Sequence, residues 1–268
     1  MFCWPQPPRC PGLFVTGTDT GVGKTAVVRG IAAALAQGGG GGGRGRPRVG
    51  LCKPFATGCR QTRTGWTGED LEALASAAGL DPADEGGRRR LCPQAFKLPA
   101  APAAAAEHER RAVDFAAVER ALAEHDRRAD LVLVEGIGGP KVPLDPGCPR
   151  YTVAEFAAEL GYPVLVVARA NLGTLSHTAM SVESLQAAGC RVVGLVLNDA
   201  DDAAAEDPTA RSNPGWLERM TGIKVLAQLP HSRALPPEGP CPPGLRAPLE
   251  RVDWADLAAT PTPGEPPW

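Results

Sequence analysis

The sequence predicts an α/β fold: a doubly wound, mostly parallel sheet flanked by helices. Three observations predict it. Six short runs, LFVT (13–16), VGLCK (49–53), LVLV (131–134), PVLVVA (163–168), VVGLVL (192–197) and IKVLA (223–227), are apolar without alternation, as in strands buried on both faces. Helical patterns follow most of them, the strand–helix rhythm of a parallel sheet wrapped by helices. Between the first run and the first helix lies a glycine-rich turn, GTDTGVGKT (17–25).

Taken in order, LFVT passes through that turn into a helix over 24–36. Gly38–Gly43 followed by RGRPR reads as a flexible surface connection. VGLCK is stopped by Pro54, since proline cannot donate to a sheet ladder. A helix over 68–79 begins in GEDLEAL, and one over 112–128 leads to LVLV. Helix 152–160 precedes PVLVVA. Helix 174–188 opens at Thr174 and closes before Gly189, residues suited to the two ends. From 236 onward prolines repeat and no strand pattern remains, so 1–235 reads as one domain and 236–268 as a loosely docked or disordered tail.

Composition narrows the function. At 268 residues and 43% hydrophobic, the chain can bury a core without staples, and 22% charged residues is ordinary for a soluble protein. A net charge of −2 argues against a nucleic-acid-binding surface. No run reaches the roughly 18 apolar residues of a membrane span. Prolines in MFCWPQPPRCPG stand where a signal peptide needs an apolar helix, so the expected location is cytoplasmic. The eight cysteines form no CxxC pair and no zinc-ligand spacing, which points to free thiols. Glycine (32) and proline (28) are abundant and most cations are arginines, so each of the five lysines stands out.

Strand, glycine-rich turn and helix together form the context of a phosphate-binding loop, in which backbone N–H groups and a helix N-terminus neutralise phosphate. Lys24 would reach the β- and γ-phosphates and Thr25 would ligate Mg²⁺. The strict pattern wants glycine at 18, where this chain has Thr18, with Gly17 one place earlier. Lys53 stands at the carboxyl end of the second strand, where ligands of open α/β sheets collect. Asp70 falls near a helix N-terminus, which favours a carboxylate in any case. In LVLVEGIGGPKVPL (131–144), four apolar residues deliver Glu135 to the sheet edge, the layout of a carboxylate that serves Mg²⁺ in nucleotide hydrolases. Gly136, Gly138 and Gly139 allow backbone to approach a ligand closely. The histidines at 108, 125, 177 and 231 are scattered, with no Ser-His-Asp or Cys-His signal.

These motifs resemble the dethiobiotin synthetase family of P-loop NTPase-like enzymes. The likeness runs from GTDTGVGKT through KPFATG, GEDLEAL, VEGIGGPKVPL, PVLVVARANLGTLSHT, GLVLND and NPGWLERMTGIKVLAQLP, across roughly residues 12–232. It implies that Gly21, Val22, Gly23, Lys24, Thr25 and Ala26 hold the phosphates of ATP. Thr25, Asp70 and Glu135 would be the Mg²⁺ residues, Lys53 and Lys24 the catalytic lysines, and Thr57 a substrate contact that is more often serine. Asn198 and Asp199 would recognise adenine, with Pro230, His231 and Ser232 lining the base pocket. Gly136, Ile137 and Gly138 would meet nucleotide and, across a homodimer interface, the substrate carboxylate. Ser176 and Ala103 depart from the family's usual asparagine and histidine. The implied substrates are 7,8-diaminononanoate and CO₂, with ATP driving closure of a ureido ring. The alternative is another P-loop ATPase, or a nucleotide-binding regulatory protein, of the same superfamily.

Overall fold

The structure, a computed structural model, describes residues 8–37, 46–63, 65–199, 207, 209–231, 239 and 241–259. Strand β1 (Gly12–Gly17) runs into helix α1 (Lys24–Ala36), followed by β2 (Val49–Cys52). An excursion follows: β3 (Phe55–Ala56), the hairpin of β4 (Arg60–Thr62) and β5 (Gly65–Thr67), α2 (Glu69–Ala77), α3 (Glu85–Leu91), β6 (Gln94–Ala95) and α4 (Pro102–His108). Helix α5 (Phe115–Arg128) returns the chain to β7 (Leu131–Glu135), and β8 (Pro143–Asp145) and β9 (Cys148–Thr152) form a second hairpin. Then come α6 (Val153–Leu160), β10 (Val164–Arg169), α7 (Thr174–Ala187), β11 (Val192–Asn198), α8 (Asn213–Thr221) and β12 (Val225–Leu229). Helices α9 (Pro243–Leu249) and α10 (Trp254–Ala258) close the described chain.

The six long strands form one parallel sheet in the order β12-β11-β10-β1-β7-β2. Alternate side chains divide the core in two. Leu13, Val15, Leu133, Leu165, Val167 and Val196 face α1, α9 and α10, whereas Phe14, Val132, Val134, Val166 and Leu197 face α5, α6 and α7. On the second face Phe14, Phe156, Phe55, Phe115 and Tyr151 meet edge to face in a chain, with centroids 5.4–6.0 Å apart. Both faces being covered is why the strands read as unbroken apolar runs. The sheet has the doubly wound order: β2 and β7 lie on one side of β1, β10 to β12 on the other. At such a switch point the carboxyl ends of the strands open a crevice, and Glu135, Arg169 and Asn198 end their strands there.

The strands fall within two residues of their expected bounds, and the five expected helices appear. The tail requires correction. The stretch after 236 carries α9 and α10, whose Leu245, Leu249, Trp254 and Ala258 are buried against the α1 side of the sheet. Trp254 Nε1 donates to Leu249 O at 2.7 Å. Residues 241–259 therefore belong to the folded body. Helix α7 also opens differently from expectation: Gly173 caps it without a side-chain bond, and Thr174 inside the first turn lies 3.2 Å from Thr178 Oγ1. The glycine run 38–43 lies outside the described residues.

Candidate active site

β1 ends at Gly17, and Thr18 N donates to Val167 O at 2.9 Å, so the loop leaves the sheet between β1 and β10. It turns through Gly21 (φ +74) and Gly23 (φ +94), a left-handed region that L side chains adopt only at a cost. Gly23 caps α1 without any side-chain bond, which leaves first-turn N–H groups available to an anion. A Cβ at Gly23 would stand 2.1 Å from Asn198 Nδ2. That amide donates to Val22 O at 3.0 Å and secures the loop from behind. Lys24 folds back so that Nζ donates to Asp19 O at 2.9 Å. Burial pushes the pKa of Lys24 down to about 8, helped by Lys53 and opposed by Glu135 and Asp70.

Three elements bring the charged groups together. Lys53 lies just past β2, its N–H bound to Leu91 O at 2.7 Å. Glu135 is the last residue of β7, and Asp70 stands in the first turn of α2. Lys53 Nζ is 2.8 Å from Asp70 Oδ2 and 2.5 Å from Glu135 Oε1. Thr25 Oγ1 lies 2.9 Å from both Asp70 Oδ1 and Glu135 Oε1. Asp70 is drawn below the usual carboxylate range: burial opposes this, but Lys53 and the Thr25 hydroxyl outweigh it. Glu72 on the same helix receives Thr67 Oγ1 at 2.6 Å and both Arg88 Nη atoms at 2.9 Å, which ties α2 to α3 and to the hairpin.

Glu135 Oε2 is buried with no hydrogen-bond partner. The oxygens of Thr25, Asp70 and Glu135 are hard donors. Among the described residues no cluster of three or more His, Cys, Asp or Glu offers an all-protein metal cage. Two carboxylates and a hydroxyl suit Mg²⁺, which retains waters and phosphate oxygens in its shell. The orphaned Glu135 oxygen beside Thr25 fits that ion.

A cleft of about 640 Å³ opens over this cluster. Of the expected residues, Gly21, Gly23, Lys24, Thr25, Ala26, Lys53, Thr57, Asp70, Ile137 and Gly138 line it. Val22 and Glu135 lie beneath, and Gly136 N is held by Val15 O at 2.9 Å. The expected base-binding residues form a separate group at the ends of β11 and β12. Asp199 N donates to Leu229 O at 3.0 Å, His231 Nδ1 lies 3.2 Å from Asp199 O, and Pro230 is exposed beside them. Ser232 lies outside the described residues. Asn198 differs from the expectation in one respect: its amide N–H binds the phosphate loop itself.

Sequence reasoning missed Arg29 and the wall formed by Pro99, Ala100 and Ala101. Arg29 sits one turn after Thr25, so helical spacing was its only signal. The wall carries no charge or motif. Glu109 holds it by accepting from Lys97 N at 2.5 Å and Leu98 N at 3.1 Å. His177 is exposed on α7, and the described cysteines are all free.

A family model described as an AAA domain matches residues 11–238. Among curated proteins, the ATP-dependent dethiobiotin synthetase BioD of Anaeromyxobacter sp. (strain Fw109-5) is 41% identical over 222 residues, 83% of this chain and 91% of that protein. The protein of the same name from Anaeromyxobacter dehalogenans (strain 2CP-C) is 43% identical over 82% of this chain and 89% of its own length. That of Bacillus subtilis subsp. natto is 32% identical over 82% and 87%. Among solved structures, the septum site-determining protein MinD from Pyrococcus horikoshii OT3, complexed with Mg-ADP, covers 93% of this chain and 94% of its own at 15% identity, with a TM-score of 0.46.

Proposed function

Because this chain belongs to the family of ATP-dependent dethiobiotin synthetases, we propose that it closes the ureido ring of dethiobiotin from 7,8-diaminononanoate, CO₂ and ATP, releasing ADP and phosphate. The observation that carries this reading is the meeting of Lys53, Thr25, Asp70 and Glu135 at the foot of the phosphate loop, under one open cleft. Kinship over four-fifths of the chain speaks against an ATPase or regulator of another task.

The chemistry explains why such residues are needed. One amine of the substrate takes up CO₂ as a carbamate, whose carbon is a poor electrophile because its leaving group would be an oxide. Transfer of the γ-phosphoryl group to a carbamate oxygen expels ADP and creates a phosphate leaving group. The second amine then attacks the carbonyl carbon, phosphate departs with the C–O electrons, and that amine loses a proton. Catalysis of this kind rests on positioning and charge neutralisation more than on acid–base pairs.

Lys24 and the N–H groups of 21–26 hold the polyphosphate in line. Lys53 lines the same cleft, where its ammonium offsets the negative charge of carbamate and phosphoryl group as they meet. Thr25, Asp70 and Glu135 would hold Mg²⁺, which supplies charge neutralisation at the phosphates. Thr57, Pro99, Ala100, Ala101 and Val142 also line the cleft, and the last four give it an apolar wall suited to the substrate's aliphatic chain. Asn198, Asp199, Pro230, His231 and Ser232 are assigned to the adenine side.

The working form is a homodimer in which Gly136–Gly138 faces the substrate carboxylate across a two-fold axis, and its place is the cytoplasm, where ATP and free thiols are at home. No helix among the described residues is long and apolar enough to cross a membrane. The test is phosphate release with diaminononanoate, bicarbonate and MgATP, each omitted in turn, with dethiobiotin measured by mass spectrometry. Dependence on all three is expected. Phosphate release indifferent to the diamine would return the protein to the ATPase reading.

A further inference from the structure

The last residue of β10, Arg169, pairs in register with Asn198 of β11. Both follow the parity of Leu165, Val167 and Val196, so both side chains leave the sheet on the face that carries α1. They meet successive residues of the phosphate loop. Asn198 binds Val22 O, and the Arg169 guanidinium lies over Gly21, where an added Cβ would be 3.7 Å from Nη2. Gly21 has no side chain to intervene, and it lines the cleft.

Charge gives this placement meaning. Lys24, Lys53, Asp70 and Glu135 form a cluster whose formal charges cancel, with Lys53 just past β2 and Glu135 at the end of β7, both on the same side of β1 in the sheet. Arg169 places a guanidinium on the β10 side of the same loop. A guanidinium presents a planar fork of donors that matches phosphate oxygens, and it stays charged at every working pH.

We propose that Arg169 is a nucleotide-contacting residue, a cation that closes the β10 side of the phosphate loop and binds the polyphosphate of ATP over Gly21. This rests on the reading of 17–25 as a phosphate loop. It adds to the lysines a cation no motif within that loop encodes.

The test compares wild type, Arg169→Gln and Lys24→Gln by equilibrium titration with MgATP, alongside steady-state constants for ATP and diaminononanoate. Arg169→Gln is expected to weaken ATP binding about tenfold or more, the loss of a charge-assisted contact. KM for the diamine and the unfolding midpoint should stay near wild type. If Arg169→Gln binds ATP within about twofold of wild type while Lys24→Gln loses it, the proposal is overturned and the phosphate-loop reading stands. If Lys24→Gln also binds normally, the loop reading fails and takes the proposal with it. A rise confined to KM for the diamine would assign Arg169 to the other substrate and likewise overturn the proposal. Arg169→Met, which keeps packing over Gly21 without charge, carries the same comparison if the glutamine variant folds poorly.

Discussion

Lys53 Nζ and Glu135 Oε1 stand 2.5 Å apart, with side chains only 4% and 1% exposed. Burial disfavours the charge on Lys53, but Glu135 and Asp70 outweigh it and hold the ammonium above the usual lysine range. Burial likewise pushes the Glu135 carboxyl up, against the pull of Lys53. Buried ion pairs add little net stability, because desolvation consumes most of the Coulombic gain. Truncating one partner is another matter, since the charge left behind is stranded. Here Asp70 remains to Lys53 if Glu135 is neutralised, which makes the carboxylate variants practicable.

Glu135→Gln and Asp70→Asn are therefore expected to fold and to fail chiefly in their metal dependence. A neutral amide is a poor ligand for a hard cation, so the Mg²⁺ concentration for half-maximal turnover should rise by about tenfold or more. Titrating activity with Mg²⁺, beside an unfolding curve for each variant, checks this. A wild-type Mg²⁺ curve in either variant would remove that carboxylate from the metal site.

Much of this arrangement is legible in the sequence because it is local. β1 passes through glycines into α1 within one continuous stretch, and LVLVE places Glu135 at a strand end by its apolar run alone. The losses are physical. Helix α3 is written EGGRRRL, with two glycines in its first half, and α9 carries Pro248 inside it, so neither shows helix propensity. What holds α9 is long-range: Leu249 Cδ1 would lie 2.3 Å from a Cβ at Gly30, a contact no local pattern reveals. The Pro99–Ala101 wall is equally silent, because its position depends on Glu109 binding backbone N–H groups. That Asn198 tethers Val22 is not legible either, since strand register decides where its amide points.

Lys53 and Lys24 should fail in different ways. In the proposed function Lys53 offsets charge during phosphoryl transfer, so Lys53→Gln should lower kcat by about 10²–10³ while ATP binding survives, the pattern of an interaction made mainly in the transition state. Lys53→Arg keeps the charge but brings a planar, bulkier head to a buried position between Asp70 and Glu135, and should also be severely impaired. Lys24→Gln should damage nucleotide binding as well. The measurement is kcat for ring closure beside an independent ATP titration. If Lys53→Gln keeps more than about a tenth of kcat, less than ~1.4 kcal/mol of barrier rests on that lysine, and it is a structural cation.

A pH effect on stability should arise far from the cleft. His125 on α5 packs over Gly50 of β2, and its Nε2 lies 3.3 Å from Arg90 O. Burial lowers its pKa, Arg90 and Arg128 add to this, and Glu124 and the Arg90 carbonyl oppose it. With the folded pKa below the unfolded one, the unfolded chain binds a proton that the folded chain refuses as pH falls below about 6.5, so stability declines there. His125→Gln should lessen the fall in unfolding midpoint between about pH 7.5 and 5.5. An unchanged slope would show that His125 protonates freely within the fold.

The contact between Gly23 and Asn198 allows the strictest test of the loop. Gly23→Ala meets two obstacles at once. The φ of +94 costs an L residue roughly 1–2 kcal/mol, and the new Cβ would stand 2.1 Å from Asn198 Nδ2, so the amide must leave Val22 O. Asn198→Ala relieves the second obstacle but also frees Val22 O. Because Gly23→Ala already expels the amide, the double variant should lose less stability and less ATP affinity than the two single losses together. Unfolding free energies and ATP titrations of the two singles and the double measure that difference. Residues in direct contact should show a coupling of about 0.5–3 kcal/mol. Additivity within about 0.5 kcal/mol would mean that Asn198 does not brace the loop. Coupling in ATP affinity as well as stability would tie the end of β11 to the phosphate site through Val22.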